Sequence, residues 1–263
     1  MTSLPNQFPF ESPYQNMSAL AESMHFYGQL YTIIGDLAAT QVTEHVSQYF
    51  WHPARLVRAA VNGGDITGEP HIDLVQDVTD YAVSAYTGTP AVEQFSAVAN
   101  RLAAHGFFTK WVEQTYDPTT LEAQRPERAA AAAERLHAHI GARDLLVLPI
   151  CHGGLLPAIE GTAYYQRMTS ADAATYPIRY SRTKQFDRRP KVQPEALDHI
   201  REAAQNRTVV VYDDDTKTGR TVTRALRYLQ ENGVQGNGLV GVVNYDRRSA
   251  RLKNKQGSWF ENT

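Results

Sequence analysis

A single cysteine, Cys151, leaves this chain without the means to form an internal disulfide. Its first residues show no positively charged start followed by an apolar run. No apolar stretch approaches the ~18 uninterrupted residues of a membrane span. Neither sign of charge is in excess, since 26 Lys and Arg stand against 28 Asp and Glu, which excludes a broad basic surface made for coating nucleic acid. Together these absences predict a soluble protein of a reducing cytoplasm, with neither nucleic acid nor membrane as its partner. What is present is a globular composition: hydrophobic residues at 42% and charged residues at 21% predict a sizeable core rather than a disordered chain. A length of 263 residues suits a core domain with a substantial appendage.

Residues Met1–Tyr14, with Pro5, Pro9 and Pro13 among aromatics, predict an extended arm. From Met17 to Phe50 the residues Leu20, Met24, Tyr27, Leu30, Tyr31, Ile34 and Leu37 recur every three or four positions, the spacing of one helical face, with Gly28 and Gly35 as weak points. A short helix is expected after Pro53, a turn at Asn62-Gly63-Gly64-Asp65, and helices over Ile72–Tyr86 and Val92–His105. Residues 1–120 therefore form a mostly α-helical N-terminal extension in this reading. Its aromatics, Phe26 and Tyr27 through Trp51, serve as plain core, as an acceptor hood or as a dimer surface.

From 121 to 263 the pattern changes. Helix Pro126–Ile140 is favoured by its Ala129–Ala133 run. Strand candidates at Leu145–Ile150, Tyr176–Tyr180, Thr208–Tyr212 and Leu239–Asn244 alternate with helices at Leu155–Met168, Pro194–Ala204 and Thr221–Asn232. Such alternation implies βαβ units and a parallel sheet covered on both faces, an α/β fold.

One junction in that pattern carries chemistry. The buried-strand run Thr208-Val-Val-Val-Tyr212 leads into Asp213-Asp214-Asp215-Thr216-Lys217-Thr218-Gly219-Arg220-Thr221 and then a helix. Ligands of open parallel sheets bind at the carboxyl ends of strands, and a loop entering a helix offers unpaired N–H groups and the positive end of a dipole. Phosphate suits that place, because Gly219 permits close backbone approach and the hydroxyls of Thr218 and Thr221 donate to phosphate oxygens. Asp213 and Asp214 call for a different partner, and vicinal ribose hydroxyls with a nearby Mg2+ match two carboxylates. Simple helix capping by Asp and Thr would not require the strand, the paired acids and the second Thr together.

An apolar strand, two acids and Thr-Gly-x-Thr at the start of a helix resembles the motif by which type I phosphoribosyltransferases bind 5-phosphoribosyl 1-pyrophosphate (PRPP). The resemblance covers roughly Arg128–Arg248. It implies a Rossmann-like parallel-sheet core and a Mg2+-dependent pentosyltransferase of nucleotide metabolism, passing 5-phosphoribosyl to a small acceptor with release of pyrophosphate. On this resemblance Asp213 and Asp214 hold the ribose hydroxyls and the metal, while Asp215, Thr216, Lys217, Thr218, Gly219, Arg220 and Thr221 wrap the 5-phosphate. Cys151, His152, Gly153 and Gly154 match the pyrophosphate loop in position, although Gly-Gly after a strand is by itself an ordinary turn. Cys151 and His152 make a poor nucleophile and base, since adjacent side chains at a strand end point apart and free cysteines are more often buried than reactive.

Segment Arg179–Lys191, rich in Arg and Lys against the one acid Asp187, matches the family's mobile loop over pyrophosphate. There Arg182, Lys184, Arg188 and Arg189 neutralise the leaving group and exclude water; a solvated hairpin is the plainer alternative. Tyr245 and Asp246 match the segment lining the base pocket, one to stack and one to accept from a ring N–H. Two positions depart from the family. Lys217 stands where 6-oxopurine salvage members carry an acid, which disfavours hypoxanthine or guanine as acceptor, and Asp215 replaces a usually apolar residue. Those departures keep open a non-catalytic module that senses PRPP or a nucleotide, and a ribosyl-phosphate transferase or hydrolase on the same fold. Dimers are common in the resembled family, so a homodimer belongs among the expectations.

Overall fold

A computed structural model describes residues 27–29, 56–57, 60–61, 71–87, 92–105, 111–113, 123, 126–151, 153–180, 187–216, 218–246 and 260–261. The arm at 1–14, nearly all of 17–50, the turn at 62–65, and His152, Arg182, Lys184 and Lys217 lie outside those residues. In chain order the elements are β1 (Tyr27–Gln29), α1 (Ile72–Thr87), α2 (Val92–Ala104), β2 (Trp111–Glu113), α3 (Pro126–Ile140), β3 (Leu145–Cys151) and α4 (Leu155–Thr169). There follow β4 (Ala173–Thr175), β5 (Ile178–Arg179), α5 (Pro194–Ala203), β6 (Thr208–Thr216), α6 (Arg220–Glu231), β7 (Leu239–Asp246) and β8 (Phe260–Glu261).

β3 is a continuous apolar run buried along its length, as a central parallel strand should be. It pairs in parallel with β4, β5 and β6, and β6 pairs in parallel with β7; β8 runs antiparallel on the far edge. The sheet order is β4-β3-β6-β7-β8, with β5 also on β3. Successive side chains of a strand face opposite ways. Leu146, Leu148 and Ile150 accordingly enter one core with residues of α5 and α6, whereas Leu145 and Val147 enter a second with α3. β6 divides in the same manner, Val209 and Val211 against Val210 and Tyr212. Helix α4 serves both cores, with Ile159 in the first and Tyr165 in the second. The Tyr165 hydroxyl donates to the Gly141 carbonyl at 2.7 Å and accepts from the Arg143 N–H at 2.9 Å, which pins the turn between α3 and β3 to α4. The chain is thus an α/β protein with a mostly parallel sheet.

Helices α1 to α6 lie where periodicity and capping predict them, to within two residues at each end. Pro126 and Pro194 open α3 and α5 at the helix start, where a missing N–H costs nothing. Three expectations change. Tyr27–Gln29, inside the predicted helix, is a strand antiparallel to β2, with Tyr27 opposite Glu113; Gly28 at its centre is a poor helix former. Of the strand expected at Tyr176–Tyr180 only β5, Ile178–Arg179, forms, and β4 lies ahead of it at Ala173–Thr175; Pro177 between them has no N–H to give a ladder. Strands β6 and β7 run on to Thr216 and Asp246, with Asp215 opposite Tyr245 and Thr216 opposite Asp246. Asp is depleted in strands, so the sequence suggests an end at Tyr212, but the neighbouring backbone supplies the pairing. The link to α6 is therefore only residues 217–219, and Thr221 belongs to the helix.

Candidate functional site

The described parts of the motif segments lie at the carboxyl edge of the sheet. Arg179 ends β5, Cys151 ends β3, Asp213 to Thr216 end β6, and Tyr245 and Asp246 end β7. With neighbouring strands ~4.8 Å apart, the four ends span about 14 Å. Sequence-distant residues thus share one strip, the place where open parallel sheets bind ligands.

The Gly153-Gly154 turn rests directly on the acids. The Gly154 N–H donates to the Ile150 carbonyl at 2.9 Å and Gly154 itself caps α4. A Cβ on Gly154 would come 2.9 Å from Asp213 Cα and 3.1 Å from the Ile150 carbonyl oxygen. A Cβ on Gly153 would run into the Asp214 carboxylate. Close approach, rather than a left-handed backbone, therefore requires these two glycines.

Asp213 and Asp214 are both buried, 8% and 7% exposed. Strand alternation sends them to opposite faces, so the carboxylates flank β6 instead of lying side by side. Asp214 faces Gly153, and the Asp213 carboxylate accepts the Asp214 N–H at 3.1 Å. Mg2+ takes one or two carboxylates and fills its octahedron with water and phosphate oxygens, so either acid alone has the chemistry to hold it. Among the described residues no group of three or more His, Cys, Asp and Glu is arranged to hold a metal. Cys151 gives the edge only its backbone, since its side chain is buried in the first core.

Gly219 has φ 70°, a left-handed conformation that glycine adopts without strain, and it caps α6. Its carbonyl accepts the Thr223 N–H at 3.0 Å, and the Thr218 hydroxyl accepts the Arg220 N–H at 3.4 Å. The first turn of α6 contains no acid, so no side chain there offsets the positive end of the dipole. Thr218 and Arg220 are exposed and Thr221 is half-buried.

The basic segment leaves the sheet at Arg179 and returns at Lys191, whose N–H donates to the Arg179 carbonyl at 2.8 Å and closes the neck. Buried Asp187 pairs with the Lys191 ammonium at 3.4 Å. Arg188 and Arg189 are exposed, and Arg189 is close enough to α6 to oppose the upward pull that burial exerts on the Tyr228 phenol. Val61 and Val75 from the N-terminal part line a small pocket with Arg179 and Lys191 at this neck.

Beneath the edge, on the α3 side, lies a polar group that motif reading passes over. The Tyr212 hydroxyl donates to Asn244 Oδ1, and Asn244 Nδ2 donates to the Ala123 carbonyl at 3.0 Å. Both Tyr212 and Asn244 are buried. Nearby Glu160 of α4 is fully buried, and neither of its carboxyl oxygens has a hydrogen-bond partner among the described residues. Desolvation and then the Glu127 carboxylate raise its pKa well above the usual carboxyl range. Burial, reinforced by Glu160, also raises the Tyr212 phenol, against the opposing pull of Arg135. In the sequence Glu160 is an ordinary mid-helix acid between Ile159 and Gly161, which gives little signal of its burial. Comparison with models of known protein families gives no match, and comparison with curated proteins gives none either.

Proposed function

We propose that the carboxyl edge of this sheet binds PRPP and that the protein is a phosphoribosyltransferase on a type I fold, acting on a small acceptor other than a 6-oxopurine. One observation carries the reading: the Gly153-Gly154 turn is seated on Asp213-Asp214, one strand away from a helix N-terminus with no acid in its first turn. A phosphate group sits on the amides around Thr218–Arg220, assisted by the Thr218 and Thr221 hydroxyls. Asp213 and Asp214 take the ribose hydroxyls at the carboxyl end of β6, and a Mg2+ held there would supply charge neutralisation for the pyrophosphate. The Gly153-Gly154 backbone, with Cys151 and His152, and the cations Arg182, Lys184, Arg188 and Arg189 receive the leaving group. In the reaction the C1–O bond to pyrophosphate breaks, a C1–N bond to the acceptor forms, and the acceptor proton leaves to solvent. On this reading Tyr245 and Asp246, opposite Asp215 and Thr216 at the end of β7, take the acceptor.

Titration calorimetry with Mg2+ and PRPP, followed by pyrophosphate release with a panel of amines and bases, tests this. Saturable binding that Asp213→Asn with Asp214→Asn abolishes, together with release for one acceptor, is the expected outcome. Binding without release across the panel would make the site a sensor, the alternative that the departures at Asp215 and Lys217 leave open. No binding would end the proposal.

A further inference from the structure

We infer that Asn244 is a positioning residue: through Tyr212 on one side and the Ala123 carbonyl on the other, it holds the acidic ends of β6 and β7 in register. The apolar run of β6 stops at Tyr212, yet its backbone pairing with β7 continues through Asp215 and Thr216. A buried polar side-chain contact between the two strands lies directly ahead of that stretch. Tyr212 pairs across from Val242, so Asn244 is its diagonal neighbour two residues on, on the same face and nearer the edge. The tyrosine hydroxyl leans toward that edge and donates to Asn244 Oδ1, while the amide's own N–H reaches Ala123 in the segment ahead of α3. All three residues are buried, so each lost bond strands a polar group away from water.

Helix α4 makes room for this arrangement. A Cβ on Gly161 would come 2.8 Å from the Tyr212 hydroxyl oxygen. A glycine in a helix interior is unfavourable by ~1 kcal/mol against alanine, and seating this hydroxyl is a physical reason for it. The chain leading from the N-terminal part into α3 is thereby tied, by two hydrogen bonds in series, to the residue that immediately precedes Asp213.

The role in ligand binding rests on the PRPP reading above; the role in strand register does not. Hydrogen exchange of the intact chain, resolved to single amides, compares wild type with Tyr212→Phe and Asn244→Leu. Exchange at Asp214–Thr216 is expected to quicken on the order of tenfold, as for a buried polar group losing its partner, while Leu146–Leu148 in the sheet centre stays unchanged. The double variant should be no faster at the edge than Asn244→Leu alone, and PRPP affinity should fall in step with edge protection. Equal exchange in wild type and Tyr212→Phe, or an increase spread evenly over edge and centre, overturns the inference. If Asn244→Leu does not fold, Tyr212→Phe, which removes one oxygen, decides it. Wild type that fails to bind PRPP removes the functional reading, and the exchange data then judge the clamp by themselves.

Discussion

Glu160 carries a carboxyl whose two oxygens are buried without hydrogen-bond partners among the described residues, with Glu127 of α3 adding to the penalty on its charge. Tyr164 on its own helix and Tyr212 of β6 feel the same carboxyl, and burial together with Glu160 raises both phenols. Arg135 of α3 acts on Tyr212 in the opposite sense. The folded protein holds the Glu160 proton more tightly than the unfolded chain does. Unfolding therefore releases a proton between the two pKa values, and stability falls as pH rises through that interval. The contribution is complete below the ordinary glutamate range and lost above the raised folded value. Glu160→Gln, a neutral isostere, should match wild type in acid and exceed it at higher pH, because only the glutamate is driven to ionise in a buried site. Urea unfolding at a series of pH values measures both curves, and parallel curves would refute the assignment. A mid-helix glutamate gives little warning of such burial, because the same residue on the solvent face of an amphipathic helix is ordinary.

At the scale of elements, the apolar patterns were legible and the polar ends were not. Pro126 with the alanine run marks α3, and the unbroken run Leu145–Ile150 marks β3, since propensity and burial agree there. The Asp213–Thr218 stretch reads as loop by composition, yet through Thr216 it is strand, because β7 supplies hydrogen bonds that no single-strand pattern records. The glycines of the site were visible as residues, but their reason, contact with Asp213 and Asp214, needs the fold. Gly161 is a case with a measurable consequence. Alanine in a helix interior normally stabilises by ~1 kcal/mol over glycine. Here the added methyl meets the Tyr212 hydroxyl oxygen at 2.8 Å and its ring carbons at 3.1 and 3.2 Å. Gly161→Ala should therefore destabilise by roughly 1–3 kcal/mol, the range for overpacking a filled site. In a Tyr212→Phe background the cost should shrink, since the nearest atom is gone, and a denaturation double-mutant cycle reads the coupling. Additive effects would show that the helix moves aside without reference to the hydroxyl.

For the whole molecule, the question is whether the α/β part stands alone, as a boundary near residue 120 suggests. The hydrophobic interior gives a physical answer. Leu56, Leu74, Val78, Tyr81 and Leu102, all fully or almost fully buried, belong to the same core as Leu146, Leu148 and Ile159 of the sheet and α4. Val61 and Val75 reach as far as the neck of the basic segment. Removing the first 120 residues would uncover that side of the core, and each large side chain returned to water costs about 1.5–3 kcal/mol. With net stabilities near 5–15 kcal/mol, a few such losses suffice to unfold a domain. A chain of residues 121–263 is expected to show no cooperative thermal transition and to bind a dye for exposed apolar surface, whereas the intact chain melts sharply. A sharp transition in the truncated chain, with the same edge protection by hydrogen exchange, would establish the α/β part as an independent folding unit and show that the N-terminal side of the core is dispensable for its folding.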